Sequence, residues 1–129
     1  MIKDHSSISG QYRHEHLTWL RILDFIRQEN AVLKTRLSQA LDYKTDQDFL
    51  NMAEHFQNRF VLKDDCIDEL KRDIKLLERS FERIALENKI PDDADLKAMH
   101  IKLRNEMEAF ELSFIQLKNQ FNRHLATLA

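Results

Sequence analysis

Turn-making residues are almost missing from this chain of 129 residues, which holds one glycine, Gly10, and one proline, Pro91. Between those two positions neither of the strongest chain breakers occurs, which excludes an architecture of many short strands and favours long helices. A single cysteine, Cys66, excludes an intrachain disulfide, and a buried, reduced thiol is expected of it. Apolar runs are short as well, and none approaches the ~18 residues that a membrane span requires. The opening MIKDHSSISGQYRHEH has no apolar centre of a secretory signal, so a cytoplasmic protein without membrane insertion is expected. Nor does one sign of charge dominate. Lys and Arg total 20 against 22 Asp and Glu, interspersed along the chain, so the clustered basic face that nucleic acid requires is missing.

What is present is helical spacing. Hydrophobic residues make up 43% of the chain and charged ones 33%, a composition suited to a single domain with a real core. Residues 1–9 are polar and serine-bearing and read as a flexible N-terminal arm, leaving 10–129 as one helical-bundle domain. In the first helix, expected over about 11–42, Trp19, Leu23, Ile26, Asn30, Leu33, Leu37 and Ala40 recur by threes and fours, the seam of a coiled coil. Thr45 is a candidate cap for the second helix, expected over about 46–89, with Asp48 in the place of a capping-box acid. Its seam reads Phe49, Met52, Phe56, Phe60, Lys63, Ile67, Leu70, Ile74, Leu77, Phe81 and Ile84, with one extra four-residue step absorbed as a stutter. An alternative breaks this helix near 63–65, where Asp65 could cap, and gives four helices. Ile90 before Pro91 marks the next boundary, with Asp92 or Asp93 as cap. A third helix over about 92–128 follows, with Leu96, Met99, Leu103, Met107, Phe110, Phe114, Leu117, Phe121, His124 or Leu125, and Leu128 as its seam. The expected fold is therefore all-α, an antiparallel, coiled-coil-like bundle of three long helices.

Candidate chemistry rests on histidines. His14 and His16 lie about 200° apart on a helix, on opposite sides, and no Glu-x-x-His or His-Glu-x-x-His pairing occurs. A glycine-rich phosphate loop is impossible with one glycine. Counting back from turns near Tyr43 and Ile90 brings Asn30, His55, Gln57 and His124 to one height. That level is expected to be a polar layer that fixes register; the alternative is a metal site using His55 and His124, with Glu54 or His16 in support. The same counting sets His14 and His16 beside Lys71 to Asp73 and Glu106 to Glu111 as a mixed-charge rim.

The stretches His14-Glu15-His16 with Trp19-Leu20, Glu54-His55-Phe56-Gln57-Asn58 with Phe60, and Asp68-Glu69-Leu70-Lys71 resemble those of a family of short, all-helical bacterial proteins without an assigned activity. The resemblance covers the first helix and half of the second, and implies a bacterial, cytoplasmic helical protein with no substrate or cofactor. Together these readings lead to a non-enzymatic helical bundle acting as an interaction or structural module. Its expected partners are a second copy of itself, as a homodimer, and another protein, met through Leu17, Trp19 and Phe25.

Overall fold

The three-and-four spacing of apolar residues builds three helices. A computed structural model of the protein describes residues 2–87 and 94–127, the side chains of 2–9 and 85 excepted. Helix α1 spans Ile2–Leu41, α2 spans Gln47–Leu86 and α3 spans Ala94–Ala126, and no strand occurs among the described residues. The first helix thus starts at Ile2 rather than near residue 11, running through the segment expected to be an arm. No proline interrupts that segment, and a helix already nucleated by the seam beyond it propagates at low cost.

Without a glycine to stop it, α1 ends by tightening. The amides of Asp42 and Tyr43 donate to the carbonyls of Gln39 and Ala40, three residues back, at 3.2 and 3.1 Å. Helix α2 is then capped by Asp46, not Thr45, because the Asp46 carboxylate accepts from the Phe49 amide at 3.2 Å. From there α2 continues for 40 residues, about 60 Å at ~1.5 Å per residue, with no break at 63–65. Lys63 occupies its seam position by lying along the groove to α3, where its Nζ donates to Ser113 Oγ at 2.7 Å and sits 5.6 Å from the Phe110 ring centre. The capping residues proposed at Asp92 and Asp93, the Ile90–Pro91 boundary and the seam position at Leu128 lie outside the described residues.

Cross-helix pairs give the directions. Asp24 meets Lys71 and Arg27 meets Asp68, so α1 and α2 are antiparallel. Arg59 reaches Gln120, Lys63 reaches Ser113, and α2 and α3 are antiparallel too. Helices α1 and α3 therefore run parallel, joined by Glu29 with Lys118 and Arg36 with Asn122, and they approach each other less than either approaches α2. One core cluster draws on all three helices, with Leu23, Phe60, Ile67, Ile74, Leu77, Met107 and Phe121 fully enclosed. Burial of each large side chain favours the fold by ~1.5–3 kcal/mol before chain entropy is counted.

The seam of α2 is more regular than expected. Ala53 is buried and Met52 only partly so, which gives Phe49, Ala53, Phe56, Phe60 and a strict alternation of four and three without a stutter. An alanine carries little hydrophobic signal beside a methionine, which is why the sequence pattern points to the wrong neighbour.

Candidate functional site

Two seam positions near the start of α1 and of α3 carry imidazoles. His16 lies three residues before Trp19 on α1, and His100 lies between Leu96 and Leu103 on α3; both are buried, 1% and 0% exposed. Because α1 and α3 are parallel, their N-terminal portions come together, and His16 Nε2 sits 2.9 Å from His100 Nδ1. The outer nitrogens each face a carboxylate. His16 Nδ1 is 3.3 Å from Glu78 Oε1 on α2, and His100 Nε2 is 2.5 Å from Glu15 Oε1 on α1. Arg104, one turn beyond His100, grips the same carboxylate in a fork, Nε to Oε2 at 2.9 Å and Nη2 to Oε1 at 2.8 Å. A chain Glu78, His16, His100, Glu15, Arg104 thus crosses all three helices.

Aromatic rings close the site. Tyr12 stacks on His100 with ring centres 3.9 Å apart, Trp19 lies 5.2 Å from the same ring, and Phe81 lies 6.3 Å from His16. In this wall burial pushes both imidazoles below the ordinary histidine value. His100 presses His16 further down, whereas Glu78 and Glu15 act upward on it. For His100, Glu15 opposes burial and Arg104 acts with it. The Arg104 guanidinium in turn holds Glu15 below the usual carboxylate range. Chemically, the two enclosed imidazoles are linked to solvent through Glu78, Glu15 and Arg104, which are partly exposed, so the cluster can exchange a proton with its surroundings. Among the described residues no group of three or more His, Cys, Asp and Glu side chains is arranged to hold a metal ion.

The residues singled out from the sequence fall elsewhere. Of the expected polar layer, Asn30 alone is buried; its Nδ2 donates to the Phe60 carbonyl at 2.8 Å and to Asp64 Oδ1 at 3.1 Å, while its Oδ1 has no partner. Lys34 and Arg27 join Asp64 from α1. Burial raises the Asp64 pKa, but the bonds from Lys34 and Asn30 outweigh it and hold the carboxyl below its ordinary value. His55, Gln57 and His124 are exposed, as is Glu54. The two imidazoles flank the Phe56 ring at 5.5 and 5.2 Å, and His124 donates from Nδ1 to the Gln120 carbonyl at 2.8 Å. They do not form the expected buried register layer: His55 stands one helical position away from its seam, and His124, on the seam step after Phe121, is exposed near the end of α3, where Leu125 packs against the core instead. Of the residues read as a contact surface, Leu17 and Phe25 are exposed, whereas Trp19 is 5% exposed and belongs to the core. Cys66 is exposed rather than buried.

The expected mixed-charge rim around His16 is replaced by the buried pair. Counting from Tyr43 sets His16 opposite Lys71 to Asp73, whereas it meets Glu78. Side chains lean by about one position toward the N-terminus of their own helix, and in antiparallel neighbours the two leanings add; the connection between Leu41 and Gln47 is also centred on Lys44 rather than Tyr43, which moves partners further the same way. A signal for the pair was present in the pattern. Extending the alternation back from Trp19 gives His16, and holding it strictly between Leu96 and Leu103 gives His100 in place of Met99, which is 50% exposed.

Comparison with protein-family models, curated proteins and solved structures finds no match for the chain.

Proposed function

We propose that the protein is a non-enzymatic helical bundle that works by protein–protein contact, and that its first partner is a second copy of itself. The observation that carries this reading is the outward face of α1, where Leu17, Phe25 and Val32 are 45%, 60% and 55% exposed. At 3.6 residues per turn these three fall within an arc of roughly 80°, opposite the buried seam, and extend over about 22 Å. These three groups, with Phe25 at the centre, give the outward face of α1 an apolar stripe on which a second copy can pack.

The spacing also supports a twofold arrangement. Leu17 and Val32 lie almost equally far from Phe25 along the helix, so two antiparallel copies of α1 can set ring against ring and Leu17 against Val32 of the second copy. Arg21 then approaches Gln28 and Glu29 of that copy, which keeps like charges apart. The absence of any helix long and apolar enough to cross a membrane among the described residues agrees with a partner in solution, and the cytoplasm is the compartment proposed for it.

Light scattering across micromolar concentrations tests the reading. A mass of two chains is expected, and Phe25→Glu is expected to return one chain with thermal stability changed by ~0.5 kcal/mol or less, since the side chain is exposed. A single-chain mass for the unmodified protein would end the proposal.

A further inference from the structure

The tautomers of the buried histidine pair can be counted. The 2.5 Å contact between His100 Nε2 and Glu15 Oε1 requires a hydrogen, which His100 donates. His100 Nδ1 is then a bare acceptor in the neutral ring, and His16 Nε2–H donates to it across 2.9 Å. That leaves His16 Nδ1 bare, facing the Glu78 carboxylate at 3.3 Å, the longest contact of the three. One added proton has an obvious place there, where it makes a charge-assisted bond to Glu78. A second proton has none: it could go only on His100 Nδ1, directly against the His16 Nε2–H. Two cationic rings would then face each other inside an apolar wall, with Arg104 Nη2 a further cation 3.3 Å from His100 Nε2.

We infer that the His16–His100 contact is an acid-labile latch: the closed bundle takes up one proton at most, and a second separates the N-terminal part of α1 from that of α3. Among the described residues, the titratable and charged groups facing the pair are Tyr12 and Glu15 from α1, Glu78 from α2 and Arg104 from α3, of which the two carboxylates favour a charged ring. Loss of the latch exposes Tyr12, Trp19 and Phe81, whose rings enclose it. Among the described residues, the polar links Glu29 with Lys118 and Arg36 with Asn122 also join α1 to α3, further towards the other end, and contain no histidine. Opening is therefore confined to one end. It does not depend on self-association through the opposite face of α1.

The test is a titration of the full chain from about pH 8 downward, following histidine ring nitrogens by NMR and amide hydrogen exchange in the same samples. Expected are ring transitions of His16 and His100 below the ordinary histidine value, coupled to loss of amide protection around residues 12–23 and 100–107. Amides around Phe56, Phe60 and Phe121 are expected to stay protected through that step. Two rings titrating at the ordinary value with protection unchanged would overturn the latch, and so would equal loss of protection at both ends. Two variants separate the latch from a merely structural contact. Glu78→Ala removes the acceptor for the first proton, so the opening is expected about half a pH unit higher while stability near pH 8 is retained. His100→Gln leaves only one ring to charge and is expected to shift the opening about one pH unit lower, or to abolish it. An unchanged midpoint in Glu78→Ala, the milder variant, overturns the proposal even if His100→Gln does not fold.

Discussion

The two ends of this bundle use equivalent seam positions for opposite chemistries. Beside the α1–α2 connection, Phe56, Phe60 and Phe121 fill the space between the helices, with Phe121 meeting the other two edge to face at 5.2 and 5.1 Å. At the far end, His16 and His100 stand in corresponding positions and meet through a hydrogen bond, walled by Tyr12, Trp19 and Phe81. The phenylalanine end is held by area removed from water, which has no directional requirement and no proton to gain or lose. The histidine end is held by a chain of bonds in which every atom needs its partner. One end therefore contributes stability at any pH, and the other fixes how α1 and α3 align, at the cost of sensitivity to acid.

The sharpest break in this comparison comes from the apolar end. Phe60→Ala is expected to lower unfolding free energy by about 3–5 kcal/mol, because the ring is fully enclosed and leaves a cavity. Urea unfolding at two pH values should give the same loss at both. His100→Ala is expected to cost about 2–4 kcal/mol near pH 8, since it leaves His16 and Glu15 without their partner in a closed wall. That loss should shrink on acidification, as the wild type weakens while the variant has one buried imidazole fewer.

The sign of the pH dependence follows from the directions of the shifts. His16 and His100 hold protons less readily in the fold than in the unfolded chain, so protons favour unfolding as pH falls below the ordinary histidine value of 6.5. Glu15 and Asp64 are likewise depressed, so their contribution is present above 4.5 and 3.8 and is lost as pH falls further through their folded values. Stability curves measured by thermal denaturation should accordingly fall in two stages, the histidine stage first, and His100→Gln should flatten that stage.

Smaller changes sharpen the contrast. Asn30→Leu removes two hydrogen bonds but also the partnerless Oδ1, and the opposing effects are expected to leave stability within about 1 kcal/mol of wild type by urea titration. An Asn30→Leu loss larger than His100→Ala would show that the middle layer, not the histidine end, carries the polar specificity. Gly10→Ala, at an exposed helical site where an added Cβ meets nothing within 4 Å, should stabilise the histidine end by roughly 0.5–1 kcal/mol. Slower amide exchange near residue 10 would register it.

Much of the architecture was readable because helix formation and burial repeat on a short period. Trp19, Leu23, Ile26, Asn30, Leu33 and Leu37 are all buried as their spacing requires, and Phe56 and Phe60 sit in the core despite the polar residues around them. Asp46 displaced Thr45 as the cap because capping depends on which side chain reaches the third amide, a matter of turn geometry rather than residue type. The candidate site was hidden for a different reason. Histidine at a seam position carries no apolar signal, so Met99 stands out beside His100; His55 lies beside its seam, and His124, although on it, sits where the helix end leaves it exposed.

By itself the sequence determined three long helices, their order, most of their inner faces and an up-down-up course, because spacing of apolar residues and scarcity of breakers act locally. Only the tertiary structure decided that His16 would meet His100, 84 residues away, and that Glu78 and Glu15 would close the chain. A hydrogen bond tolerates only a few tenths of an ångström in height and a modest rotation. Those are set by how three helices settle against one another, not by the period of any one of them.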